Sequence, residues 1–352
     1  MMRVFLILLF IAAPVLPAQL FAGGQPHTVA AQDSLRALSA WRLALRYPAA
    51  QRELRAARLQ GTALPPQRAT AWQLPATADS SGTTGIRPGR LWLVGGTMFA
   101  VNAGIMGYYF VTFYNDEYAD RAPFHTFNDW YNADLNVDKL GHIWGSQTYT
   151  RTLFHMFRWT GMDDTPAMYW SSGLAMFYQL EMEVIDGMYE KWGFSWWDMG
   201  ANTVGSLWPN LQRVWPSLQA VNLKMSYHPS DAVKAGWIEH DYLRDYDGFT
   251  YWLCLSVEDV LPDGAKPYWP DWLGIAVGYG ANRTMLGDGI FNSSGGVGQG
   301  EQEWYVALDY DMRALPGEGA FMDFVRESLN LFHFPAPAIR ITPSGIFYGL
   351  YF

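Results

Sequence analysis

Three short runs constrain this chain more than anything else in it: Asp138-Lys139-Leu140-Gly141-His142, Glu183-Val184-Ile185-Asp186 and Ser195-Trp196-Trp197-Asp198-Met199-Gly200-Ala201-Asn202. Each sets acids, a histidine or an amide at helical spacing within an otherwise apolar segment, where an uncompensated charge is costly to bury. Asp138 and His142 are four apart, Glu183 and Asp186 three apart, and Asp198 and Asn202 four apart, so each pair shares one helix face. In an antiparallel bundle the three faces converge on one interior position, as bundles do when they build cofactor and metal sites.

Two readings of that convergence are open. In one, His142 is a general base or metal ligand oriented by Asp138. Glu183 and Asp198 are then partner carboxylates whose pKa values burial pushes apart, and Asn202 bonds the reacting group. In the other, the same residues form an ion-pair network that only fixes helix register, with Lys139 neutralising one acid. Asp186 belongs to the candidate set through its spacing from Glu183. No cofactor or metal is specified by these residues alone. A calcium loop beginning at Asp134 fails, because Lys139 stands where the loop needs Gly and Gly145 where it needs Glu.

Half of the residues are hydrophobic, 16% are aromatic and 16% are charged, which points to a protein that meets lipid. A net charge of −9 excludes a nucleic-acid partner, since phosphate neutralisation needs clustered Lys and Arg. The expected partner is membrane lipid or a lipid-linked substrate. Met1-Met2-Arg3, an apolar run from Val4 to Leu16 and the small residues Ala18 and Ala22 read as a signal peptide over 1–22. No cysteine follows that run, so it is not a lipoprotein leader; Cys254 is the sole cysteine, and no internal disulfide is possible. The expected location is the envelope of a Gram-negative bacterium, at the periplasmic face of the outer membrane or embedded in it.

Residues 23–89 read as a basic helical arm followed by a linker rich in Pro, Gly and Ser. Residues 90–228 read as a hydrophobic bundle of about four helices. Its members are a membrane-length stretch from Leu91 to Tyr114, taken as a buried or outer-envelope helix, and helices over Val137–Arg158, Pro166–Tyr189 and Ser195–Trp215. Residues 229–352 carry aromatic and β-branched alternation in four runs, with one amphipathic helix over Ala320–Phe332. The expected fold class is mainly α, a four-helix bundle with a smaller strand-rich C-terminal region. The ending Gly349-Leu350-Tyr351-Phe352 is that of an outer-membrane strand, but four runs fall well short of the ~8 strands a lone barrel requires.

From Phe124 to about Asn282 the chain resembles the YfiM-like family of predicted periplasmic lipoproteins of unknown function. The resemblance is carried by Asp138-Lys139-x-x-His142, Glu183-Val184-Ile185-Asp186-Gly187, Ser195-Trp196-x-Asp198-x-x-Ala201-Asn202-x-x-Gly205 and Ser226-Tyr227-His228-Pro229-x-Asp231. More distantly, Asp138, Lys139, His142, Glu183, Asp198, Asn202 and Gly205 follow a pattern similar to that of VanZ-like membrane proteins, although no Arg stands between Met188 and Phe194. The resemblance implies an envelope protein and a site; it names no reaction.

Overall fold

A computed structural model describes residues 85–111, 120–130, 134–238, 245–283 and 300–352. The signal peptide expected over 1–22, and residues 23–84 of the arm and linker expected over 23–89, lie outside the described residues. The elements in chain order are α1 (Pro88–Tyr109), β1 (Thr126–Phe127), α2 (Val137–Trp159), α3 (Asp164–Asp186), β2 (Phe194–Ser195), α4 (Trp196–Val214) and β3 (Val221–Tyr227). There follow α5 (Asp231–Lys234), β4 (Phe249–Leu255), α6 (Val257–Val260), β5 (Leu273–Asn282), β6 (Glu301–Tyr310), α7 (Ala320–Leu329), β7 (Ala336–Thr342) and β8 (Ile346–Tyr351).

Helices α2, α3 and α4 pack on one another, and the closest approach has a sequence cause. A Cβ on Gly205 of α4 would lie 2.2 Å from the Ile143 carbonyl oxygen of α2, so only glycine permits that crossing. Ser195 caps α4, its Oγ accepting from the Asp198 N–H at 3.1 Å, as its place before the apolar run predicts. Helix α2 starts from Leu135 and Asn136, both at positive φ, and the Tyr279 hydroxyl of β5 donates to the Leu135 carbonyl at 2.5 Å. That bond ties the start of α2 to the sheet.

The four-helix, mainly-α expectation is wrong: the protein is α+β. Its sheet is a six-stranded antiparallel meander in the order β3-β4-β5-β6-β7-β8. Strand β3 is hidden in the sequence because its alternating buried positions are polar: Asn222, Lys224 and Ser226 are buried, with Met225 the one buried apolar residue, so the segment lacks the usual apolar core signature. The last of the four alternating runs expected from the sequence, Ala338 to Phe352, falls on two strands, β7 and β8, rather than one. Helix α1 is not a fourth bundle member. It rests Val94 and Met98 on an apolar cluster with Leu153, Phe154 and Met168, and Asn102 Nδ2 donates to Glu181 Oε2 of α3 at 2.9 Å. Met106 is buried as well, but most of the rest is open, Trp92, Leu93 and Phe99 included, so it is not the buried helix that is one of the two expectations for it. By length and composition it could cross a membrane.

The sheet curls. The Thr250 hydroxyl on β4 lies 3.2 Å from the Tyr351 hydroxyl on β8 although β5, β6 and β7 run between them. Glycine and alanine line much of the concave side, which makes room for Trp252; a Cβ on Gly278 would stand 2.6 Å from its ring. The outer edge of β3 is covered by the segment after α7, where Met225 N–H donates to the Leu331 carbonyl and His333 N–H to the Met225 carbonyl.

Candidate functional site

Four separate segments meet at the ends of α2, α3 and α4. The short parallel ladder of β1 with β2 sets Phe127 beside Ser195, and so lays the following Asp129 against the start of α4. Helix α2 brings Asp138, Lys139 and His142, α3 brings Glu183, and α4 brings Asp198 and Asn202.

The cluster has two halves that share Asp198. In the first, the Lys139 ammonium lies 2.8 Å from Asp138 Oδ2, 2.8 Å from Asp198 Oδ1 and in contact with Asp129 Oδ2. Asp129 also accepts from the Ser195 hydroxyl at 2.7 Å. Burial opposes charge on Lys139, but Asp138, Asp198 and Asp129 outweigh it and hold the ammonium above its ordinary range. Burial likewise raises Asp129, and the bonds from Lys139 and Ser195 reverse that to a net lowering.

In the second half, His142 Nε2 is 3.5 Å from Asp198 Oδ1 and Nδ1 is 3.9 Å from Glu183 Oε1. His142 Nδ1 sits 3.1 Å from Asn202 Oδ1, which also receives Gln179 Nε2 at 2.7 Å and the Ser146 hydroxyl at 3.0 Å. An amide oxygen only accepts, so this contact calls for a proton on Nδ1, and it turns Nε2 toward the Asp198 carboxylate. Glu183 is 1% exposed, and its Oε2 accepts from the Ser195 N–H at 3.2 Å. Burial first, then the charges of Asp198 and Asp186, push its pKa up to about 9. Burial also raises Asp198, with His142 and Lys139 pulling against it. The acids and Lys139 are closed off, and His142 has the most open side chain of the group, 21% exposed.

Each residue singled out from sequence can now be placed. Asp138, Lys139, His142, Glu183, Asp198 and Asn202 come together. Asp138 bonds Lys139, and Asn202 is the residue that holds His142. Asp186 ends α3; its carbonyl receives the N–H groups of Tyr189 and Gly193, and its charge acts on Glu183 from outside the triad. Three members escape the sequence reading. Gln179 and Ser146 stand four residues before Glu183 and four after His142, a spacing that puts them on the same helix faces and could have exposed them. Asp129 lies in a segment with no periodicity, and no spacing could have found it. Away from the cluster, His155 of α2 is buried with Nε2 at 2.8 Å from Glu327 Oε2.

Donor atoms of His142, Glu183 and Asp198 lie within 4.8 Å of one another, as do those of Asp129, Asp138 and Asp198. The second group already encloses the Lys139 ammonium. The first could take a divalent cation, its one nitrogen and two carboxylates being a donor set that suits Zn²⁺ or Mn²⁺.

Residues 128–213, which carry every member of the cluster, match the model of a family described as predicted periplasmic lipoprotein (DUF2279). That agrees with a place in the cell envelope and names no activity. The match does not extend to VanZ-like proteins. No curated protein and no solved structure matches the chain.

Proposed function

We propose that His142, Glu183 and Asp198 hold a divalent cation and that the centre serves hydrolysis or group transfer at the polar headgroup of a lipid-linked substrate in the cell envelope. The observation that carries this reading is Glu183. It is an acid with almost no exposure, 3.9 Å from His142 and crowded by Asp198, that keeps its proton near neutral pH unless a cation replaces it. His142, oriented by Asn202 through Nδ1, turns Nε2 toward Asp198, and its neutral form would supply the nitrogen that a cation needs. When bound, the cation would lower the pKa of a coordinated water and stabilise charge at the reacting headgroup. Lys139 keeps Asp198 from bearing its charge alone, and Ser195 binds both Asp129, through its hydroxyl, and Glu183, through its N–H, which fixes the two acids. The exposed edge of His142 is the side from which a headgroup can approach.

A second reading has its own observation. Lys139 already satisfies Asp129, Asp138 and Asp198, so the chain carries an internal cation, and a purely packing role for the network follows if that is enough. Elemental analysis of full-length protein purified without chelator separates the two. The cation reading expects one transition-metal ion per chain, lost in both His142→Ala and Glu183→Gln with the fold retained. Metal-free protein that binds neither Zn²⁺ nor Mn²⁺ at pH 8, and whose Asp198→Asn variant loses only thermal stability, overturns it in favour of packing.

A further inference from the structure

The sheet is built inside out. The concave side of the sheet is buried and carries ion pairs: Lys224 Nζ of β3 to Asp309 Oδ2 of β6 at 2.8 Å and Arg340 Nη1 of β7 to Glu303 Oε1 of β6 at 2.6 Å, with the Tyr305 hydroxyl on the same Glu303 at 2.7 Å. The convex side carries the aliphatic residues instead. Cross-strand register aligns Leu253, Val277, Val306, Ile339 and Phe347 in one row across five strands, with exposures from 43% to 69%. The next row pairs Ile275 with Leu308. Water-soluble antiparallel sheets have the opposite polarity, apolar toward the core and polar outward. Strands that face lipid have this one.

The ends of the rows carry a second signature. Tyr279 packs on Trp304 at 4.9 Å between ring centres, and Trp272 on Tyr310 at 6.1 Å, with the aliphatic rungs of β5 and β6 between them. Those two aromatic rungs are six residues apart along β6, about 20 Å at the rise of a strand. A lipid-facing band flanked by aromatic girdles is about 25 Å tall. No charged residue stands at the outward positions of β4, β5 or β6 between the rungs. Asp259, Asp263 and Lys266 lie in the connection from β4 to β5, beyond the Trp272 end.

We infer that the convex face of strands β4–β8, along the row from Leu253 to Phe347, lies against the acyl chains of a lipid bilayer. A second copy of the chain could cover that face too, but the apolar exposure does not stop there. Tyr169 and Trp170 on α3, and Val204, Leu207 and Val214 on α4, are open on the side of the helices turned away from α2, and Trp92 and Phe99 are open on α1. One flat partner cannot cover surfaces that face different ways; a lipid phase can. The inference does not rest on the cation reading, and its test is run in EDTA, so either can fail without the other.

The test is flotation of the full-length protein with phosphatidylcholine–phosphatidylglycerol vesicles. Wild type is expected to float. Val306→Lys, in the middle of the convex face, is expected to lower the bound-to-free ratio about thirtyfold or more, as a cation placed in a lipid-facing band does. Val306→Leu and Asp263→Lys are expected to float like wild type. If Val306→Lys floats equally well, the inference is overturned. It is equally overturned if vesicle-free protein is a dimer that Val306→Lys converts to monomer, because the face is then a contact between copies. Should circular dichroism show Val306→Lys unfolded, a nitroxide on Ile339→Cys decides: collision with oxygen and shielding from a nickel chelate are expected in vesicles, and free collision with the chelate overturns the inference.

Discussion

Replacing Glu183 by glutamine tests the electrostatics of the cluster at its most buried acid. The folded chain holds this carboxyl's pKa near 9 where the ordinary value is 4.5. Between those limits the folded state binds a proton that the unfolded state releases, so this group makes stability fall as pH rises. Each pH unit in that window costs about 1.4 kcal/mol. From pH 5 to pH 8 the loss from this one side chain is therefore about 4 kcal/mol, on the scale of a whole domain's stability. A glutamine side chain has nearly the same shape, can still accept from the Ser195 N–H through its amide oxygen, and has no proton to lose. The Glu183→Gln variant is expected to match wild type or fall slightly below it at pH 5, and to be the more stable of the two at pH 8. Urea titrations in EDTA, followed by tryptophan emission at both pH values, give the difference directly, and every group common to the two chains cancels. A stability difference that stays constant within about 0.5 kcal/mol across the range would refute the reasoning, because Glu183 would then be ionised throughout.

Two further substitutions probe the frame around that acid. Lys139→Met leaves Asp129, Asp138 and Asp198 facing one another without their cation, and should destabilise the fold by about 3–5 kcal/mol in the same titrations at pH 7; an unchanged midpoint would mean that water or a bound cation takes over the role. Gly205→Ala pushes a methyl into the Ile143 carbonyl, and the forced separation of α2 and α4 should cost about 1–3 kcal/mol or more. Thermal melts check it, and a neutral result would show that the crossing has slack.

The site is legible in the sequence to the extent that periodicity carries it. Asp138 with His142, and Asp198 with Asn202, declare themselves because a helix repeats every 3.6 residues and an acid inside an apolar run has few tolerable environments. The same logic places α2, α3 and α4 within a few residues of their observed bounds. It fails for Asp129, which reaches Lys139 only through the two-residue β1–β2 ladder, a contact between distant segments that no local pattern encodes. The fold class fails for a different physical reason. The sheet's alternation is visible in β4, β5 and β6, but a reader who expects apolar residues inside assigns the polar positions to solvent. Lys224 and Asp309 are buried together, so β3 carries no recognisable signal and the remaining strands look like an appendage of the helices.

Gly141 precedes His142 on α2, and a Cβ there would stand 2.9 Å from the hydroxyl of Tyr251 on β4. Two residues along that strand, Leu253 belongs to the outward aliphatic row. The candidate centre and the greasy exterior are thus joined by a seam with no spare room, one residue of helix and two of strand in length. A side chain at position 141 would have to push Tyr251 aside, and with it the strand that carries Leu253.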